Sequence, residues 1–143
     1  MSDNFSLIIK NGNCYIQGKF QKIDLGLSGN KISKIGKLDN SNTKSIDAEG
    51  KIVLPGVIDT QVHFREPGAN NAENLESGSR AAVAGGVTSV FEMPNTNPPT
   101  STFDEVNKKL EAAKNRMFCN YAFYFGATPN NMEELSGVDS LNG

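Results

Sequence analysis

The sequence predicts an α/β protein in two regions: a small antiparallel β-domain over residues 1–54, then strand–helix units over 55–143. Short period-two stretches separated by Gly and Asn fill the first region, and helical periodicity is absent there. After Pro55 the pattern changes, and strand-like runs alternate with amphipathic ones. Successive strand–helix units imply parallel strands.

In order along the chain, Phe5–Lys10 reads as a strand, and Asn11-Gly12 is a strong turn signal. Cys14–Ile16 and Lys22–Leu27 are further strand candidates. Ser28-Gly29-Asn30 turns the chain into Lys31–Ile35, which alternates polar and apolar residues. Asp39–Thr43 is a polar loop, and Ser45–Ala48 one more short strand. The apolar run from Ile52 predicts a buried strand over 52–64. A helix follows over Glu73–Ala84, with Leu75, Ala82 and Val83 on one side and Gly85-Gly86 as its stop. Val87–Met93 is the next strand, ended by a loop containing Pro94, Pro98 and Pro99. Ser101 or Thr102 caps the following helix, and Thr102 with Glu105 has capping-box spacing. Phe103, Val106, Leu110, Ala113 and Met117 form its apolar stripe, read as core contacts. Asn120–Ala127 is a third strand, and Asn130–Leu135 opens a third helix.

The chain has 143 residues and a formal charge of −2. No basic patch interleaved with aromatics suggests nucleic acid. No apolar run approaches the roughly 18 residues of a membrane helix. Met1-Ser2-Asp3-Asn4 lacks a basic segment followed by an apolar one, so the expected location is the cytoplasm. Cys14 and Cys119 read as free buried thiols ahead of a disulfide or metal pair.

The chemistry gathers in Asp59–Gly68, which holds the only histidine. Strand alternation puts Val57, Asp59, Gln61, His63 and Arg65 on one face and Ile58, Thr60, Val62 and Phe64 on the other. Pro67-Gly68 makes the turn. Ligands of parallel α/β folds sit at the C-terminal strand ends. There the chain places His63 and Arg65, then Asn95 and Thr96, then Thr128.

Val53-Leu54-Pro55-Gly56-Val57-Ile58-Asp59, with Val62-His63-Phe64-Arg65-Glu66-Pro67-Gly68, resembles the metal-site signature of dihydroorotase, in the cyclic amidohydrolase branch of the amidohydrolase superfamily. Gly85–Met93 followed by Pro94-Asn95-Thr96-Asn97-Pro98 is similar to a second block of that family, and the likeness runs from about residue 6 to 130. Hydantoinases and allantoinases share the Pro-Gly…Asp and Gly-Gly-Val-Thr elements but usually not Phe64-Arg65-Glu66-Pro67-Gly68 together with Met93-Pro94-Asn95-Thr96, the two blocks that make the likeness to dihydroorotase specific. The resemblance implies part of a β-sandwich domain over 1–54 and the first three βα units of a metal-dependent (β/α)₈ barrel over 55–143. Such a barrel takes roughly 250 residues, so the chain is expected to be the N-terminal portion of a longer protein whose later strands carry the remaining ligands and the catalytic aspartate.

The resemblance further implies interconversion of L-dihydroorotate and N-carbamoyl-L-aspartate in pyrimidine synthesis, with Zn²⁺ or another divalent metal. His63 would be a metal ligand. Gln61 stands where the family usually has a second histidine, which puts that metal position in doubt. Arg65 would bind the substrate carboxylate through its planar fork, and Asn95 would donate to the same group. Glu66, Pro67 and Gly68 would shape the loop, and Asp59 would be a partner of a metal ligand or a structural hydrogen-bonding group. The alternatives are another cyclic amidohydrolase and a non-catalytic homologue that partners aspartate transcarbamoylase. Expected partners are a small-molecule substrate, a second copy in a homodimer, or aspartate transcarbamoylase.

Overall fold

The computed structural model describes residues 4–39 and 42–138. The chain divides into two compact units, Met1–Pro55 and Gly56–Gly143. Among the described residues no helix is long and apolar enough to cross a membrane.

Among the described residues the first unit contains seven strands: β1 (Leu7–Lys10), β2 (Asn13–Ile16), β3 (Lys19–Lys22), β4 (Asp24–Ser28), β5 (Lys31–Gly36), β6 (Ser45–Asp47) and β7 (Ile52–Val53). They form two sheets, ordered β5-β4-β1-β6 and β3-β2-β7. Strands joined by tight turns, β2 with β3 and β4 with β5, pair antiparallel. Both β6 and β7 return after long connections and pair parallel with β1 and β2. The sheets are therefore mixed, which corrects the antiparallel expectation. The run expected as one strand over 22–27 breaks at Ile23, where the chain passes from one sheet to the other and Ile23 N–H donates to the Gly12 carbonyl. Phe5, Ile8 and Leu38 form a buried cluster. The loop expected at 39–43 lies partly outside the described residues.

The second unit runs β8 (Val57–Val62), α1 (Leu75–Ala84), β9 (Val87–Glu92), α2 (Phe103–Ala113), β10 (Asn120–Phe123) and α3 (Met132–Leu135). The strand expected over 52–64 is two strands, β7 and β8, in different sheets. Pro55, which has no N–H for a ladder, lies in the break between them. β8, β9 and β10 form one parallel sheet with β9 in the middle. Its core holds Phe64, Leu75, Val90 and Ala113, with Val62, Ala82, Met117, Tyr121 and Phe123 packed against them.

Both main helices start at side-chain caps. Asn74 accepts from Ser77 N–H at 2.8 Å and Ser77 Oγ accepts from Asn74 N–H at 3.1 Å, a reciprocal box. Thr102 accepts from Glu105 N–H at 3.2 Å, but the Glu105 carboxylate turns to Lys108 instead of closing a box. The buried stripe of α1 is Leu75, Gly78, Ser79 and Ala82, at i, i+3, i+4 and i+7. Val83, expected on that side, is exposed. Gly and Ser on the inner stripe let the helix approach closely: a Cβ on Gly78 would lie 2.4 Å from Phe64 Cδ1.

That contact is testable. Gly78→Ala should lower unfolding stability by about 1–3 kcal/mol in urea titrations, because overpacking outweighs the helical preference for Ala. Adding Phe64→Leu to Gly78→Ala should recover some of the loss. An unchanged midpoint for Gly78→Ala would mean that α1 is not seated on Phe64.

Candidate functional site

The candidate site is built on the chain as it leaves β8. Asp59 pairs with Val90 and Val62 with Glu92, so β8 carries one extra residue in that interval, a β-bulge. Its local cause is Asp59: Oδ1 accepts from Gln61 N–H at 2.9 Å, a side chain bonding its own backbone two residues on. The alternation counted from Val57 therefore slips by one residue. Val62 and Phe64 pack in the helix-side core, with His63 between them. Arg65 lies beyond the strand with φ +58°, off the alternation that would have aligned it with His63. A non-glycine residue in the left-handed region costs of order 1–3 kcal/mol and persists where surrounding structure over-determines it.

His63 and Asn95, both singled out by the sequence, meet: His63 Nδ1 lies 2.9 Å from Asn95 Oδ1. An amide oxygen only accepts, so the ring donates from Nδ1, and in the neutral tautomer that fits this contact Nε2 carries the lone pair. The Asn95 amide N–H groups stay available to a further acceptor. Arg65 is exposed, and its side chain makes no hydrogen bond or ion pair among the described residues. Gln61 lines a cavity of about 440 Å³ at the strand ends, with Thr60, Met93, Tyr124 and Ala127. Thr96 and Thr128 are spent locally: Thr96 Oγ1 donates to the Pro98 carbonyl at 2.9 Å, and Thr128 Oγ1 accepts from Asn130 N–H at 3.3 Å.

A protein zinc site needs three or four ligands. No group of three or more His, Cys, Asp or Glu among the described residues could hold a metal ion. His63 Nε2 offers one imidazole donor, Gln61 an amide, and the Asp59 carboxylate is turned to the backbone. These residues do not complete a metal site by themselves.

Behind Arg65 the loop is fixed by charge. Glu66 is 9% exposed. Arg116, just past α2, donates Nη1–H to Glu66 Oε1 at 2.9 Å and Nη2–H to Oε2 at 3.0 Å, and Leu75 N–H at the start of α1 donates to Oε2 at 2.9 Å. Desolvation pushes the Glu66 carboxyl up, but the Arg116 bonds, the Leu75 amide and the Arg116 charge outweigh it and hold it below the usual range. A second pair lies deeper: Lys109 Nζ donates to Glu92 Oε2 at 2.8 Å, with the side chains 3% and 1% exposed. Burial pushes the Glu92 carboxyl up, against the opposing Lys109 bond. Arg116 and Lys109 do not stand out in the sequence. The readable signal for Lys109 was a charge three residues from Val106 on a core-facing stripe. Arg116, 50 residues from its partner, had none.

The sequence profile described as "Amidohydrolase family" matches residues 52–141. The chain is 36% identical over 139 residues to an allantoinase of Salmonella paratyphi B, covering 96% of this chain and 31% of that protein. Its fold is similar to L-hydantoinase (dihydropyrimidinase) from Arthrobacter aurescens, with a TM-score of 0.88, 32% identity, and 96% and 31% of the two chains covered. D-hydantoinase (dihydropyrimidinase) from Thermus sp. gives a TM-score of 0.76 at 28% identity, covering 94% and 31%. The chain thus spans about a third of the length of these relatives.

Two outcomes follow from the geometry. Because Glu66 titrates below its ordinary value of 4.5, its stabilising contribution is complete above that pH and is lost as pH falls through the depressed value. Glu66→Gln should flatten that portion of the acid limb in denaturation measured across this range. Arg116→Met should cost roughly 2–4 kcal/mol at neutral pH, less than for a fully buried pair because Arg116 is 34% exposed. The single histidine makes the other outcome easy to read: ¹⁵N NMR should show neutral His63 protonated at Nδ1, and Asn95→Ala should release that tautomer. An Nε2–H tautomer in the unaltered chain would overturn the assignment.

Proposed function

The chain belongs to the amidohydrolase family, and on that premise we propose that the whole protein hydrolyses a cyclic amide, opening a ring C–N bond. The observation that carries this is likeness to an allantoinase and two hydantoinases over at least 94% of the chain. The favoured substrate class is therefore a cyclic ureide ring of the allantoin or hydantoin kind. A divalent metal such as Zn²⁺ belongs to the proposal for the whole protein, with His63 Nε2 as a donor from this stretch of it.

A second reading, dihydroorotate as substrate, is favoured by Arg65. Its guanidinium is exposed and unpartnered among the described residues, and it follows His63 by two positions. A planar fork recognises a carboxylate bidentately, and dihydroorotate carries one where simple ureide rings do not. The free amide N–H groups of Asn95 are suited to the same group. Two such anchors would fix the ring's orientation, and orientation contributes much to catalysis of this kind.

A substrate panel on the whole protein tests both readings. Turnover of allantoin, hydantoin, dihydrouracil or dihydroorotate is expected, and inertness toward every cyclic amide would sink the proposal. On the second reading, Arg65→Met should lower kcat/KM for dihydroorotate by about two orders of magnitude, the loss of a bidentate charged contact worth ~2–3 kcal/mol, and leave dihydrouracil turnover nearly unchanged.

A further inference from the structure

Arg65 is a flexible side chain on a tightly held backbone. Its carbonyl accepts from Ala69 N–H at 2.9 Å. The next residue, Glu66, is locked by Arg116 and by the first amide of α1. The Pro67 carbonyl accepts from Asn97 N–H at 3.1 Å, and Gly68, at φ +112°, lies where a Cβ would meet Asn97 Cβ at 2.7 Å. Arg65 has no side-chain partner among the described residues, yet it sits in a left-handed conformation that a free loop would relax. Something must hold the peptide there, and the strongest bonds within reach are those of the Glu66 carboxylate. Arg116 also donates Nη1–H to the Ala112 carbonyl at 2.9 Å, so its own fork is anchored to the end of α2.

We infer that Arg116, through Glu66, is a positioning residue for substrate recognition: the Glu66–Arg116 clamp holds the Arg65 backbone left-handed, so that its guanidinium is presented to an anionic group of the substrate. The inference rests on the reading of Arg65 as a carboxylate anchor. Arg116 itself touches no substrate. Its contribution is selective, because loosening the clamp lets Arg65 wander and weakens recognition of a charged ring while leaving uncharged rings unaffected.

The test compares Arg65→Met, Arg116→Ala and Arg116→Lys in the whole protein, with dihydroorotate and dihydrouracil as the charged and uncharged substrates. Arg116→Ala should raise KM for dihydroorotate about tenfold to a hundredfold, the effect expected of a misplaced anchor, with dihydrouracil kinetics within about twofold. Arg116→Lys keeps the charge, loses the two-pronged bond and should fall between; it serves as the folded variant if Arg116→Ala does not accumulate. If Arg65→Met shifts selectivity and both Arg116 variants leave it untouched, the clamp is structural only, and the inference is overturned while the anchor reading stands. If Arg65→Met changes neither substrate, or the unaltered protein does not use dihydroorotate, there is no carboxylate anchor to position, and both fall.

Discussion

A carboxylate taken out of water must be matched by donors, and the loop after β8 is shaped by how Glu66 meets that requirement. Its two oxygens receive three N–H groups, two from Arg116 beyond α2 and one from the first turn of α1. A single side chain thereby ties together the exit of β8, the start of α1 and the end of α2. The amide of Leu75 is one of the unsatisfied donors at a helix N-terminus, where negative charge is favoured. The same bond that settles the charge also fixes where α1 begins. The backbone between β8 and that knot is short, and Arg65 takes up the turn in a left-handed conformation.

The second charged pair has a related effect in the next strand–helix unit. Glu92 at the end of β9 and Lys109 in α2 are almost fully buried, and Glu92 Oε1 has no hydrogen-bond partner among the described residues. A buried pair of this kind adds little net stability, since desolvation offsets most of the attraction, yet losing either partner is costly. It fixes how α2 sits on the sheet, with the Phe123 ring 5.4 Å from the ammonium. Charge on the helix side of the sheet is thus matched in pairs. Of Arg65 and Glu66, neighbours in the loop after β8, Glu66 is consumed by structure, and Arg65 stays available.

Much of this was legible in the sequence, and the failures share a physical origin. The parallel βαβαβ order, the Thr102 cap and the end of α1 at Gly85 depend on residues a few positions apart, and each was readable. The sheet switch at Ile23, the break at Pro55 and the parallel pairing of β6 and β7 depend on partners far along the chain. Period-two alternation says that a segment is a strand without saying which strand it meets. The candidate site shows the same division. His63, Arg65 and Asn95 stood out by residue type and position, but the His63–Asn95 bond spans 32 residues and the Glu66–Arg116 bonds span 50. The bulge at Asp59 turned on one local side-chain bond, enough to break the face that alternation had drawn through Arg65.

The two readings proposed for the substrate, one from whole-chain likeness and one from the Asp59–Gly68 stretch, weigh different atoms. Identity averaged over 139 residues weighs every position alike, those that hold the fold together with those at the strand ends. In the proposed function, substrate choice falls on a few side chains at strand ends. Among these, Arg65 is the least explained by folding: its side chain adds nothing to the core and bonds to nothing described, and it occupies a backbone conformation unfavourable for its residue type. An uncharged ureide offers a guanidinium only carbonyl acceptors, which other donors could satisfy as well. A carboxylate uses the whole fork. The family thus follows from the profile and the likeness in fold, and in the proposed function the choice of ring turns on what Arg65 binds.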